Sequence, residues 1–388
     1  MRDVMAGYVD RGEVPGLVSL ISRRGEVHVE AIGAKTVGLN DPIGRHTIFR
    51  ISSMTKPITA VATMILVEEG RLRLDDPVDR LLPELADRRV LNSIDGPVED
   101  SRPAHRSITV RDLLTFRMGL GYLFPMAESP IERAIAGLGL APGAPRPSAD
   151  PAPDEFMRRV GTLPLMFQPG ERWLYNTPAE VLSVLIARAS GQPFDTFLHE
   201  RLFEPLGMKD TGFNVPAAKL DRLATSYMPN PQTGALDVYD PAEGGDWSRP
   251  PVFPNGAGGL VSTADDYLRF AQMLMDGGHA GKTRFLSRPS VELMTTDQLT
   301  PDQHSTSGFG PEFFADHGWG CCLYIVTRRT QPASVGSYGW GGGMGTLWDS
   351  DPREELITIL MTQAGQASPS AAGVFADFPT LAYAAIDD

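Results

Sequence analysis

Strand-like segments lie near both ends of this chain and enclose a middle whose pattern is mainly helical. Two short apolar runs, 18–22 and 27–31, flank a polar turn and predict a β-hairpin. The last third holds further strand-like runs at 318–327, 335–338, 345–348 and 356–361. A closing helix is predicted at 371–386. The pattern therefore predicts an α+β fold, in which helices flank one antiparallel sheet built from both chain ends and a mainly helical domain is inserted.

We place the sheet domain at 1–70 and 285–388, and the inserted helical domain at 71–284. Of the 388 residues, 42% are hydrophobic and 21% are charged, which is enough apolar material for a large core. The net charge of −13, without a long basic run, argues against a nucleic-acid partner. No stretch approaches the roughly 20 apolar residues of a membrane helix, and no signal-peptide core is visible. We therefore expect a cytoplasmic protein that has no membrane partner.

The two cysteines, Cys321 and Cys322, are neighbours in the sequence. Adjacent cysteines make no useful cross-link, which excludes a disulfide framework and fits a reducing compartment. Their apolar surroundings predict that both are buried as small hydrophobic side chains within the strand at 318–327.

Ser53 and Lys56 stand three residues apart, just ahead of an apolar segment at 57–67. Residues with this spacing share one face of a helix. A serine hydroxyl becomes a good nucleophile when a nearby base takes its proton, and burial can lower the pKa of a lysine enough for that role. Surface pairs with the same spacing arise by chance, but a lysine at the head of a buried helix favours chemistry.

Two further segments offer the other parts that such a pair needs. Tyr175 lies between a Pro-Gly turn and a helix, and it can carry a proton near neutral pH if neighbouring cations lower its pKa; otherwise it is a packed aromatic residue. The segment 339–345 is rich in glycine, so its backbone can approach a ligand closely and donate N–H groups to an oxyanion. The alternative for this segment is a flexible hairpin loop.

Six segments, taken in chain order, resemble the serine β-lactamase-like superfamily of class C β-lactamases, D-Ala-D-Ala carboxypeptidases and family VIII esterases. They are 49–56, 70–77, 108–115, 169–175, 256–263 and 338–345, and together they span nearly the whole chain. The resemblance implies that Ser53 is the acylated nucleophile, that Lys56 is its activating base and that Tyr175 carries a proton to the leaving group. It also implies an oxyanion hole formed by the backbone N–H groups of Ser53 and Gly343.

The triplet Trp340, Gly341 and Gly342 stands where these families have a motif whose first residue is usually a cation. That cation helps to hold the carboxylate of β-lactams and of peptidoglycan stems. The asparagine usually found two positions after the tyrosine is also displaced or absent, because Asn176 follows Tyr175 directly. Both departures are similar to family VIII carboxylesterases. The sequence has no G-x-S-x-G nucleophile elbow, which argues against an α/β-hydrolase.

We therefore expect a carboxylesterase that hydrolyses small, short-chain esters through an acyl-enzyme on Ser53, with no metal or organic cofactor. Tyr122, Phe124 and the loop at 141–153 are expected to wall the acyl pocket. Three alternatives remain open. The first is a β-lactamase or D-Ala-D-Ala carboxypeptidase, with Arg117 or Arg328 as carboxylate anchor. The second is an acyltransferase of the same fold, and the third is an inactive binding protein.

Overall fold

The computed structural model describes residues 1–124, 128–306, 309, 312–365 and 373–388. Its strands are β1 Gly16–Arg23, β2 Glu26–Gly33, β3 Phe49–Arg50, β4 Arg89–Leu91, β5 Ser101–Pro103, β6 Ser226–Pro229, β7 Leu236–Asp240, β8 Val261–Ser262, β9 His279–Ala280, β10 Thr283–Arg284, β11 His317–Trp319, β12 Tyr324–Val326, β13 Tyr338–Gly342, β14 Thr346–Asp351 and β15 Leu356–Thr362. Its helices are α1 Arg2–Asp10, α2 Thr55–Glu68, α3 Val110–Leu114, α4 Pro130–Gly137, α5 Pro153–Thr162, α6 Thr177–Ser190, α7 Phe194–Leu198, α8 Glu204–Leu206, α9 Ala264–Met275, α10 Arg288–Met294, α11 Pro301–Ser305 and α12 Val374–Ala384. None of these helices is both long and apolar enough to cross a membrane.

The main sheet joins the two ends of the chain, as the strand pattern predicts. Its seven strands run in the order β11-β12-β13-β14-β15-β1-β2, and every neighbouring pair is antiparallel. One of these pairs joins the N-terminal strand β1 to the C-terminal strand β15, with Leu17 opposite Thr362. The predicted α+β class, with a sheet built from both chain ends, is confirmed.

Two strand predictions in the last third are wrong in detail. The run at 318–327 is two strands rather than one, because the chain reverses between β11 and β12. Cys322 lies in this reversal at φ +60°, and its N–H donates to the carbonyl of Leu114 at 2.9 Å. The buried cysteines therefore lie in a turn and not in a strand. The strand predicted at 335–338 lies further along the chain, because β13 begins at Tyr338 and includes Gly339, Gly341 and Gly342.

Helix α2 is apolar on all sides and buried at nearly every position, from Thr55 to Leu66. A helix of this kind is stable only inside a core, where it has partners all round. Its neighbours include α6 on the helical side. Helix α9, which lies within the predicted inserted domain, packs against the sheet, because Tyr267 and Phe270 contact Trp348 of β14 with ring centroids 5.5 and 6.0 Å apart. The domain boundaries themselves remain a prediction.

A buried ion pair fixes the strand that leads to Ser53. Arg50 on β3 is only 3% exposed, and its Nε donates to Asp240 Oδ2 at 2.8 Å. Its other guanidinium nitrogens bond the same carboxylate and the carbonyl of Ala224, while the ring of Trp247 lies 5.2 Å from its charge. Arg50 thus ties the segment before the nucleophile to residues 224–247, far away in sequence.

Replacing Asp240 by asparagine is expected to destabilise the protein by about 3–5 kcal/mol, because the Arg50 charge would stay buried without its counter-ion. Chemical denaturation followed by intrinsic fluorescence measures this free energy of unfolding. Asp75→Asn is the matched control, since Asp75 pairs with Arg111 at the surface and such pairs contribute about 1 kcal/mol or less. Equal losses in the two variants would contradict the assignment.

Candidate active site

Ser53 lies in a tight turn, Ser52–Met54, that leads directly into α2. The turn is held from two sides. Thr346 Oγ1 donates to the carbonyl of Ile51 at 3.2 Å, and the Tyr267 hydroxyl donates to the carbonyl of Met54 at 2.9 Å. The residue before Ser53 has φ +43°, a left-handed conformation that is uncommon outside glycine. Ser53 itself stays partly exposed.

The Lys56 amine is completely buried beneath Ser53. Its Nζ lies 3.0 Å from Ser53 Oγ, 2.8 Å from Asn176 Oδ1 and 2.6 Å from the carbonyl oxygen of Ala257. Burial lowers the pKa of Lys56 to about 7. A neutral amine has two N–H donors, and Asn176 and Ala257 can accept both. Its lone pair then points at the Ser53 hydroxyl, which is the geometry a general base needs.

Tyr175 lies on the other side of the serine. Its hydroxyl accepts a hydrogen bond from the indole N–H of Trp340 at 2.9 Å, and the Ser53 side chain is among the groups that lower its pKa. The Lys56 amine lies 4.5 Å from the centre of its ring. Burial nevertheless raises the pKa of Tyr175 above its ordinary value, and these hydrogen bonds offset only part of that rise. The condition named from the sequence, a pKa lowered by neighbouring cations, is therefore not met. Tyr175 stays protonated near neutral pH.

Asn176 was not predicted as a site residue, yet it contacts the base. It stands at the centre of a three-residue γ-turn with φ +73° and ψ −65°, which the N–H of Thr177 closes onto the carbonyl of Tyr175 at 3.0 Å. This turn type is rare and strained. It turns the residue directly after the tyrosine towards Lys56, while Asn176 Nδ2 donates to the Tyr122 hydroxyl at 3.2 Å. The displaced asparagine of the sequence thus still reaches the lysine.

The glycines of the segment 339–345 differ in how much space surrounds them. A side chain at Gly342 would collide with the carbonyl oxygen of Ile51, so glycine lets β13 approach the turn that carries Ser53. Gly343 is exposed at the end of that strand, and the space where its Cβ would stand is open. Gly341 has looser surroundings than Gly342. An oxyanion hole formed by the N–H groups of Ser53 and Gly343 remains a prediction.

Trp340 is 7% exposed and belongs to an aromatic cluster beside the site. Its ring packs edge-to-face on Trp319 at 4.7 Å, and its N–H is engaged by Tyr175. Phe124 lies 6.3 Å from the ring of Tyr175 and stacks on Phe309 at 5.0 Å. These aromatic residues lie beside Tyr175; contact with substrate remains a prediction for them, as it does for Tyr122.

The two arginines considered as anchors for a substrate carboxylate, Arg117 and Arg328, have other surroundings. Arg117 donates to Thr115 Oγ1 at 3.0 Å and to Gln303 Oε1 at 3.2 Å. Arg328 is exposed on the connection between β12 and β13.

The loop at 141–153 is held by Tyr239, whose hydroxyl donates to two of the loop's carbonyls at 3.0 Å. No group of three or more His, Cys, Asp or Glu side chains within the described ranges could hold a metal ion.

The model of the Beta-lactamase family matches residues 1–376, and the chain belongs to that family. Protein Rv1367c of Mycobacterium tuberculosis is 39% identical over 382 residues, covering 96% of this chain and 92% of that protein. Esterase EstB of Burkholderia gladioli is 32% identical over 367 residues, covering 89% of this chain and 85% of its own length. The predicted resemblance is confirmed.

A solved structure extends the comparison to the fold. EstCE1, described as a hydrolase with promiscuous acyltransferase activity, has a TM-score of 0.78 and covers 99% of this chain and 96% of its own, at 24% identity. At this identity the likeness shows the fold alone. Together, the family and its esterase relative support a serine hydrolase or acyltransferase.

The reactivity of Ser53 is expected to rise with pH through about 7. Below that value Lys56 is an ammonium without a lone pair, and above it the neutral amine can take the serine proton. Labelling rates with a fluorophosphonate, measured between roughly pH 5 and pH 9, report this transition. Lys56→Arg should label very slowly at every pH, because a guanidinium does not deprotonate. Lys209→Arg, at an exposed lysine, is the control. A rate independent of pH would contradict the role of Lys56.

Proposed function

We propose that this protein is a carboxylesterase that hydrolyses short-chain esters through an acyl-enzyme on Ser53. The observation that carries the proposal is the arrangement around the serine. The buried Lys56 amine lies 3.0 Å from Ser53 Oγ, and Trp340, at the position of the usual cation, hydrogen-bonds Tyr175. These contacts support Lys56 as the base, and the usual anchor for a substrate carboxylate is replaced.

In the proposed acylation, Ser53 Oγ attacks the ester carbonyl carbon while its proton moves to Lys56 Nζ. The negative charge that forms on the carbonyl oxygen is stabilised by the N–H groups of Ser53 and Gly343. Removing one such donor typically costs about 2.7–4 kcal/mol of transition-state stabilisation. The C–O bond then breaks, and Tyr175 protonates the departing alcohol. Its raised pKa suits a donor. Lys56 returns the serine proton to the tyrosine.

Deacylation repeats these steps with water. A water molecule attacks the acyl carbon, and the Tyr175–Lys56 pair takes its proton. The Ser53–acyl bond breaks and the carboxylic acid leaves, so that Ser53 regains its hydroxyl hydrogen. Every proton is carried by a side chain of the site, and the scheme needs no metal or organic cofactor.

Neutral esters fit this site better than β-lactams or peptidoglycan stems. Those substrates carry a carboxylate that needs a cation in the third motif, and a tryptophan offers an apolar wall instead. Arg117 is engaged by Thr115 and Gln303, so it is a poor substitute for the missing cation. The esterase relative EstB supports the same choice.

Acyl transfer to an alcohol is the second candidate. It uses the same acyl-enzyme and differs only in the group that attacks it. EstCE1, which shares the fold, is described as a hydrolase with promiscuous acyltransferase activity. An acceptor alcohol added during ester turnover would yield a new ester if this protein does the same.

The proposal also covers the cellular compartment and the molecules that the protein binds. The two cysteines are free and buried, which fits a reducing cytoplasm. A small neutral ester is the proposed partner, and neither nucleic acid nor a membrane is part of the scheme.

Intact-mass spectrometry after brief exposure to p-nitrophenyl butyrate is expected to show turnover, with a butyryl group trapped on Ser53. Ser53→Ala should lose both signals, because it removes the hydroxyl that lies 3.0 Å from Lys56 Nζ. Ser52→Ala, one residue earlier, is the control for damage to the turn. A parallel exposure to a cephalosporin tests the β-lactamase alternative.

Each outcome decides between the candidates. Ester turnover without a cephalosporin adduct supports the esterase, and a new ester with added butanol supports the acyltransferase. An adduct with the cephalosporin alone would overturn the proposal. No acylation by either compound would indicate an inactive member of the fold.

A further inference from the structure

The two fixed acceptors of Lys56 are both connected to one carboxylate, that of Glu180. Lys56 donates to the carbonyl oxygen of Ala257 at 2.6 Å, and the N–H of Ala257 donates to Asn255 Oδ1 at 2.9 Å. The other end of that amide, Asn255 Nδ2, donates to Glu180 Oε1 at 3.3 Å. One acceptor of the lysine is therefore linked to Glu180 through a single asparagine.

The second acceptor, Asn176, stands at the N-terminal end of α6, four residues before Glu180. Burial raises the pKa of Glu180, and the Asn176 amide opposes part of that rise. Glu180 is surrounded by protein on most sides, although part of its surface still reaches solvent.

An ionised carboxylate accepts hydrogen bonds and donates none, whereas an amide has a donating and an accepting end. In its ionised form Glu180 therefore favours the NH₂ end of Asn176. It favours the NH₂ end of Asn255 together with Asp150, whose Oδ2 accepts from Asn255 Nδ2 at 3.5 Å. The oxygen of each amide must then point away from it. For Asn176 this direction leads to Lys56, and for Asn255 it leads to the N–H of Ala257.

We propose that Glu180 is a positioning residue for the reaction, which orients Asn176 and Asn255 so that their acceptors fix the Lys56 amine with its lone pair aimed at Ser53 Oγ. The role of Glu180 in turnover rests on the proposed function, whereas the geometry around Glu180 does not. Glu180 touches no reacting atom and acts only through the two amides.

The charge of Glu180 acts on Lys56 as well. Burial raises the pKa of Glu180 to about 7, and the carboxylate in turn raises the pKa of Lys56, which burial lowers to about 7. The two groups therefore titrate in the same range as a coupled pair. The other titratable groups that face this pair are Asp150 from the loop at 141–153, Tyr122, Tyr175 and Cys322.

Glu180→Gln tests both effects with a readout that does not depend on an ester substrate. The rate of fluorophosphonate labelling of Ser53 is measured across the same pH range. The plateau rate should fall about 10- to 100-fold, because glutamine can present either end to the asparagines and the amine loses its fixed direction. The rise with pH should also move to lower pH, because the charge that raises the pKa of Lys56 is gone. Glu200→Gln, at an exposed glutamate bonded to Gln192, should match the wild type.

The outcomes separate this inference from the proposed function. A Glu180→Gln variant with the wild-type plateau rate and pH dependence overturns the inference. A smaller labelled fraction with an unchanged rate and pH dependence also overturns it, because that result indicates a purely structural role. If that variant fails to fold, Glu180→Asp serves instead, because it keeps the carboxylate on a shorter side chain. Glu180→Asp should lower the plateau labelling rate without moving its pH dependence. A wild-type labelling rate in this variant overturns the inference. A wild type that labels normally but turns over no ester refutes the proposed function alone.

Discussion

The burial of one amine determines how the rest of this site is built. Helix α2 is apolar on every side, so Lys56 at its start lies in an environment that disfavours charge. The amine therefore needs polar partners that come from elsewhere, and they are supplied by Ser53, Asn176 and Ala257. Burial lowers the pKa of this lysine to about 7, and the fixed acceptors leave its amine beside the Ser53 hydroxyl. The same burial that stabilises the helical core thus gives Lys56 the property that the proposed base needs.

The sheet contributes the other half of the site because it joins the two ends of the chain. Pairing of β1 with β15 brings the C-terminal strands next to the N-terminal third, and β13 then reaches the turn that carries Ser53. Gly342 is the point of closest approach, since any side chain there would collide with Ile51. The buried pair of Arg50 and Asp240 holds the strand before the serine in the same place.

The sequence predicts the features that depend on local pattern, and it misses those that depend on backbone direction. The strand pattern is enough for the fold class, and the spacing of Ser53 and Lys56 is enough to bring them together, because both follow from regular geometry. The contact of Asn176 with Lys56 depends on a strained γ-turn, which no sequence periodicity reveals. The sequence signal for that turn was the asparagine itself, because asparagine tolerates positive φ. The break at Cys322 has the same cause, since a positive φ there divides an apolar run that resembles a continuous strand.

The tryptophan at position 340 links the chemistry of the site to its choice of substrate. A cation at that position would help to hold a substrate carboxylate, and it would also favour the ionised form of the neighbouring Tyr175. Trp340 instead donates a neutral N–H to the tyrosine, and burial then keeps the phenol protonated. In the proposed mechanism the tyrosine is then a proton donor, and Lys56 is the base. Under that proposal a single residue accounts both for the weaker fit of anionic substrates and for the division of proton transfer between Lys56 and Tyr175.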